Sequence, residues 1–256
     1  MSVTLPSLPG VRRVEHVMGL PIVVDVRDED EAGAALEELF DWLHWVDATF
    51  STFKEDSEIS RINSGRLRRE DAHPQVRRVL ERCELLHQKT DGYFDMRTPA
   101  GSIDPAGLVK GWAVDRAAAI LDDAGFHNYA VSAGGDMRVH GRAVPDLAWR
   151  VGIQHPQDRQ RVAAVIETTD LAIATSGAYA RGDHVWDPHS GRAPVGILSV
   201  TVVGPELAIA DAYATAAFAM GPERAPHWTA RLQGYEAMTI LADETVLTTA
   251  RFPRAR

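Results

Sequence analysis

The chain has 256 residues, 45% of them hydrophobic and 25% charged, with a formal net charge of −9 at pH 7, enough apolar material for one sizeable core. The acidic balance and the lack of a Lys/Arg stripe remove any global electrostatic pull toward nucleic acid. No run approaches the roughly 20 apolar residues of a membrane-spanning helix, so stable membrane insertion is not expected.

Residues 1–10 read as a loose tail with no basic n-region, long apolar stretch or lipobox cysteine, which makes the cytoplasm the expected location. Residues 12 to 27 alternate and end in Ile22-Val23-Val24, interrupted by Met18-Gly19-Leu20-Pro21, a pattern that predicts a hairpin or a bulged strand pair. Residues 30 to 49 place Ala35, Leu36, Leu39, Leu43 and Val46 on one helical face. A second helix is expected from Pro74, a favourable first-turn residue, to about Lys89, ended by Gly92. Within it Cys83, the single cysteine, reads as a small buried hydrophobe. The basic runs at 66–69 and 77–78 have acidic neighbours and read as solvated faces.

A third helix is expected over Trp112 to Asp123 with Gly125 as its left-handed cap, leading into a strand at 129–132. Further strands are predicted at 137–140, 148–154, 161–167, 171–175, 197–203, 237–241 and 245–249. The stretch 141–147 is the nearest thing to a linker, but it is too short and apolar to divide the chain. A fourth helix, 209–220, is expected to stop at Gly221-Pro222. Adjacent strand pairs in mixed order with helices predict a single α+β domain with a mostly antiparallel sheet and packed helices.

Three segments carry chemistry. Thr175-Ser176-Gly177 is a hydroxyl-rich turn after an apolar run, and His184 to Arg192 crowds an imidazole, the Asp187 carboxylate and a glycine turn together. Asp211 and Thr215 then stand four apart on one helix face in an alanine-rich run. A carboxylate and a hydroxyl backed by a backbone carbonyl is oxygen-only ligation of the kind a hard divalent cation prefers. Against this stand plainer readings: mid-helix threonine often bonds back to a carbonyl, and Asp near a helix start favours the dipole. A zinc or iron cluster of His184, Asp187 and His189 is disfavoured because Pro188-His189-Ser190-Gly191 reads as a reverse turn that splays its side chains. A Ser176-His184-Asp187 triad lacks the Gly-x-Ser-x-Gly elbow. Asp104 to Asp115 places small residues where a turn enters a helix, and Lys110 could add a point charge for an anion, although the Walker spacing is absent. Ser132-Ala133-Gly134-Gly135-Asp136 is either a tight hairpin or a place where a ligand meets the backbone.

These pieces resemble the ApbE family, the FAD:protein FMN transferases. The likeness is collinear from Met18-Gly19 through Ser57 to Asn63, Asp91 to Asp95, Asp104 to Asp115, Gly134-Gly135-Asp136, Ala174 to Gly177, His184 with Asp187-Pro188 and Gly191, and Ala210-Asp211-Ala212 with Thr215, over about four fifths of the chain. It implies a T-fold-like α+β domain over 1–256 that takes FAD as substrate. It also implies Mg²⁺, or Mn²⁺ in its place, on Asp211, Thr215 and a carbonyl at Ala106-Gly107, and His184 as general base. FAD contacts are implied at Met18, Phe53, Asp95, Lys110, Gly134, Gly135, Asp136, Thr175, Ser176, Gly177 and Asp187. The implied reaction attaches FMN to a Ser or Thr of an acceptor flavoprotein and releases AMP. A Mg²⁺-dependent FAD pyrophosphatase and a non-catalytic FAD carrier are the alternatives. Two departures stand out: Ser132-Ala133 precede the Gly-Gly-Asp motif where the family usually shows Asn and one further residue, and the export signal of many periplasmic relatives is missing.

Overall fold

The computed structural model describes residues 9–177 and 185–255. Strands β1 (Val11–Val17) and β2 (Leu20–Val26) form the expected hairpin, paired from Val11↔Val26 to Val17↔Leu20. Met18 and Gly19 close it with φ of 56° and 70°, the left-handed pair that a tight two-residue turn needs to match strand twist. β3 (Tyr129–Ala133) and β4 (Asp136–His140) repeat the device, with Gly134 and Gly135 at φ 59° and 105°. Three further strands, β5 (Arg142–Val144), β6 (Leu147–His155) and β7 (Asp158–Thr168), form a separate antiparallel sheet. With β8 (Asp170–Gly177), β9 (Ile197–Gly204), β10 (Glu236–Leu241) and β11 (Val246–Thr248), the main sheet has eight strands in the order β1-β2-β3-β4-β8-β9-β10-β11. Each of its pairings among the described residues is antiparallel.

The period-2 alternation of strands sorts the core into two layers. Ala172 and Ala174 of β8 and Val200 and Val202 of β9 join a core shared with the helices α1 (Gly33–Phe50), α3 (Pro74–Lys89), α4 (Ala106–Asp123) and α5 (Leu207–Thr229). Ile173 and Val203, one residue out of phase, pack instead with Ile153 of β6 and Ile166 of β7. The helices therefore cover one face of the main sheet and the three-stranded sheet the other. Cys83 is buried in α3 beside Val79, Leu80 and Leu86, and burial pushes its thiol pKa up to about 12. Among the described residues no helix is long and apolar enough to cross a membrane.

Several boundaries differ from the sequence reading. α4 begins at Ala106 rather than near Trp112, because the Asp104 carboxylate accepts the Ala106 N–H at 3.0 Å and starts the helix in spite of two glycines. Gly221-Pro222, by contrast, breaks the helix as expected: Gly221 takes φ 76° and ψ −176°, and beyond this kink a second helical segment, grouped here with the first as α5, runs to Thr229. A short helix, α2 (Glu58–Asn63), was not expected; the Ser57 hydroxyl caps it by accepting the Ser60 N–H at 3.0 Å. The stretch 141–147, too short to divide the chain, holds β5, which pairs with β6.

Candidate active site

The site is set by how closely α4 and α5 approach. Gly111 has no room for a side chain: a Cβ there would lie 2.6 Å from the Leu207 carbonyl oxygen and 2.7 Å from the Ala208 Cα. One turn on, Asp115 accepts the N–H groups of Leu207 and Ala208 at 2.9 and 2.8 Å, so α4 caps the N-terminus of α5 in the manner of an N-cap side chain. Burial raises the Asp115 pKa against the effect of those bonds. The alanines of α5 at 208, 210, 212, 214, 216 and 217 are fully buried, which lets the helix lie close against β8 and β9.

This contact fixes the functional side chains. Asp211 is 3% exposed, and four residues on, the Thr215 hydroxyl is 3.2 Å from Ser176 Oγ at the end of β8. Ser176 shares the parity of Ala172 and Ala174, so its side chain faces the helices. Lys110 of α4 forms an ion pair with Asp136 Oδ2 and lies 3.4 Å from Asp211 Oδ1. The Asp136 carboxylate, 3% exposed, also accepts the Thr175 N–H at 2.9 Å. Thr175 Oγ1 in turn is 2.9 Å from Thr201 Oγ1 on β9. Gly134-Gly135 is thus a hairpin turn and, at the same time, the support that delivers Asp136 to the site.

Lys110, Asp136, Thr175, Ser176, Asp211 and Thr215 form the floor of a cavity of about 540 Å³. Met18, Asp95, Ala106, Gly134 and Gly177 also line it, and so does Phe53, whose side chain is open to solvent at its mouth, 99% exposed. Gly135 is exposed and does not line it. Asp187 lies apart too: its carboxylate accepts the His189 N–H at 2.9 Å, while His189 Nε2 pairs with the Asp91 carbonyl at 2.8 Å. The reverse-turn reading of that segment is what the structure shows, and Asp187 and His189 serve different partners. His184 lies outside the described residues. Tyr93, Arg97 and Trp186 line the cavity without having been singled out. The aromatic pair Tyr93-Phe94 directly after the left-handed Asp91-Gly92 was the signal for the first of these.

The donor chemistry on the floor suits a hard divalent cation: Asp211 and Thr215 offer oxygen, and Ala106 at the start of α4 lines the same cavity. Among the described residues no group of three or more His, Cys, Asp or Glu could hold a metal ion, and His184 of the cluster with Asp187 and His189 lies outside them.

The family model described as "ApbE family" matches residues 18–100 and 96–239 of the chain. The FAD:protein FMN transferase of Escherichia coli strain K12 is 34% identical over 157 residues, covering 57% of this chain and 44% of that protein. The FAD:protein FMN transferase of Vibrio cholerae serotype O1 is 38% identical over 133 residues, 48% of this chain and 40% of that protein. The chain thus spans less than half the length of either relative. The structure of the flavin transferase ApbE from Vibrio cholerae superposes with a TM-score of 0.83 at 24% identity, over 94% of this chain and 97% of that one. The ApbE protein from Thermotoga maritima gives 0.80 at 21% identity, over 94% and 97%. At these identities the likeness shows a shared fold.

Proposed function

Because the chain belongs to the ApbE family, we propose that it is an FAD:protein FMN transferase, which joins the FMN half of FAD through a phosphoester to a Ser or Thr of an acceptor flavoprotein and releases AMP. The observation that carries this reading is the polar floor beneath an apolar, aromatic mouth. Lys110, Asp211 and Thr215 are suited to a pyrophosphate and its counter-cation, and Met18 and Phe53 to a flat ring. The cavity, about 540 Å³, lies within the roughly 300–1,000 Å³ of small-molecule sites.

In this reading the acceptor hydroxyl oxygen attacks the FMN-side phosphorus, the bond from that phosphorus to the AMP oxygen breaks, and AMP leaves. His184 takes the hydroxyl proton as general base. Lys110 lies along the phosphates, and the Thr175-Ser176-Gly177 strand end and the Gly134 turn bring backbone close to the ligand. Mg²⁺, or Mn²⁺, on Asp211, Thr215 and the Ala106 carbonyl would supply positive charge that offsets the pyrophosphate and the leaving AMP.

The test is to incubate the protein with FAD and Mg²⁺, with and without an acceptor, and to follow AMP and protein-bound flavin. A transferase releases AMP in step with flavin attachment. AMP without acceptor marks a pyrophosphatase, and none in either case marks a carrier. His184→Ala should keep FAD affinity within a few fold while slowing transfer on the order of 10²-fold or more. Joint loss of binding and transfer would make His184 a cofactor contact.

A further inference from the structure

Lys110 stands between two carboxylates that are almost sealed from water. Its Nζ pairs with Asp136 Oδ2 and lies 3.4 Å from Asp211 Oδ1, and the two Asp side chains are 5% and 4% exposed. Asp136 cannot follow the ammonium if it moves. It sits at the start of β4 beside the Gly134-Gly135 turn, and its second oxygen is held by the Thr175 N–H at 2.9 Å. Lys110 can move, because its head is a point charge on a flexible four-carbon stem and its side chain is 25% exposed toward the cavity. A divalent cation approaching Asp211 therefore meets a positive charge already close to the same oxygen. Repulsion between two such charges is strong where little water screens it.

We infer that Lys110 is the resident counter-ion of Asp211 and that Asp136 is a positioning residue that draws part of this ammonium onto itself, so that a divalent cation binds Asp211 weakly until the pyrophosphate of the dinucleotide draws the ammonium the rest of the way. Cation and FAD then bind cooperatively, and by linkage each tightens the other by the same factor. This inference rests on the FAD reading of the cavity. It adds to that reading an order within the floor: Lys110 yields Asp211 to the cation only when phosphate oxygens are present to receive it.

The experiment measures Mn²⁺ affinity of the full chain from the free-ion EPR signal, with and without FAD. For the unaltered protein FAD should tighten Mn²⁺ binding about tenfold or more, within the usual range of such couplings. Lys110→Gln should tighten Mn²⁺ binding without FAD by about tenfold and shrink the FAD enhancement by a similar factor. Asp136→Asn, which removes the charge that shares the ammonium with Asp211, should weaken Mn²⁺ binding instead. A merely structural clamp would move both variants the same way. The inference is overturned if Lys110→Gln binds Mn²⁺ no more tightly than the parent, or if Asp136→Asn binds it more tightly. Should either variant fail to fold by circular dichroism, the unaltered protein decides, since FAD affinity by flavin fluorescence that is unmoved by Mn²⁺ overturns the coupling. Failure of FAD to bind at all defeats the functional reading and the inference together. Intact FAD binding and transfer with no coupling defeats the inference alone.

Discussion

On the cavity floor Asp136 and Asp211 are each 3% exposed and are held by strand ends and by α4 and α5, whereas at the mouth Phe53 is 99% exposed and Met18 holds φ 56°. The floor is over-determined. Gly111, the Asp115 cap and the buried alanines of α5 all fix the separation of Lys110 from Asp211. The mouth rests on a two-residue hairpin turn and on the loop after α1, where the Phe53 N–H donates to Ser51 Oγ at 3.2 Å. The contrast teaches where each demand is met: charge has to be placed to fractions of an ångström, while a flat apolar ring tolerates a looser surface.

If that division is right, the largest effect comes from the floor. Asp211→Asn should abolish metal-dependent AMP release, a loss on the order of 10³-fold or more, while FAD binding without metal, read by flavin fluorescence, persists. Activity that survives across a Mg²⁺ titration would move the reaction away from the floor. Gly111→Ala adds a methyl 2.6 Å from the Leu207 carbonyl oxygen, and forcing α4 off α5 should cost about 1–3 kcal/mol in urea unfolding. It should lower turnover as well, because the two helices carry Lys110 and Asp211; a stable, fully active variant would show that the approach of the helices does not set the site. The smallest effect belongs to the mouth. Phe53→Ala should leave stability within about 0.5 kcal/mol, since an exposed ring contributes little burial. The same change should raise the KM for FAD roughly three- to tenfold, the worth of one aromatic contact. A fall in kcat at unchanged KM would instead give the mouth a part in the chemistry.

Much of this floor is legible in the sequence. Asp211 and Thr215 announce themselves by their spacing within an alanine run, and the Gly134-Gly135 pair by its place between two strands. What escapes depends on contacts made across the chain. Ala106 to Gly111 looks too glycine-rich for helix, yet Gly111 is there because α5 approaches it, so tertiary packing overrides local propensity. The Gly221-Pro222 stop signal is obeyed, but it does not announce the new helical segment that follows to Thr229, whose first turn tolerates the proline. Lys110 shows up as an anion contact, while its second carboxylate, Asp136, lies 26 residues ahead in sequence and reaches it through a hairpin. Strands at 148–154 and 161–167 are legible, but their departure from the main sheet into a three-stranded one is not, and β5 is too short for any periodicity to register.

Cys83 gives this architecture a clock. A thiol that burial has pushed up to about 12 holds little thiolate at neutral pH, and the thiolate is the species that reacts with disulfide reagents. Modification must wait until α3 lifts from Val79, Leu80 and Leu86, or from the core as a whole. The labelling rate therefore counts openings of the helical layer, and its ratio to the rate of an unfolded-chain thiol converts directly into an opening free energy. Measured with FAD present and absent, that single sulfur would report whether filling the cavity is felt one helix away from it.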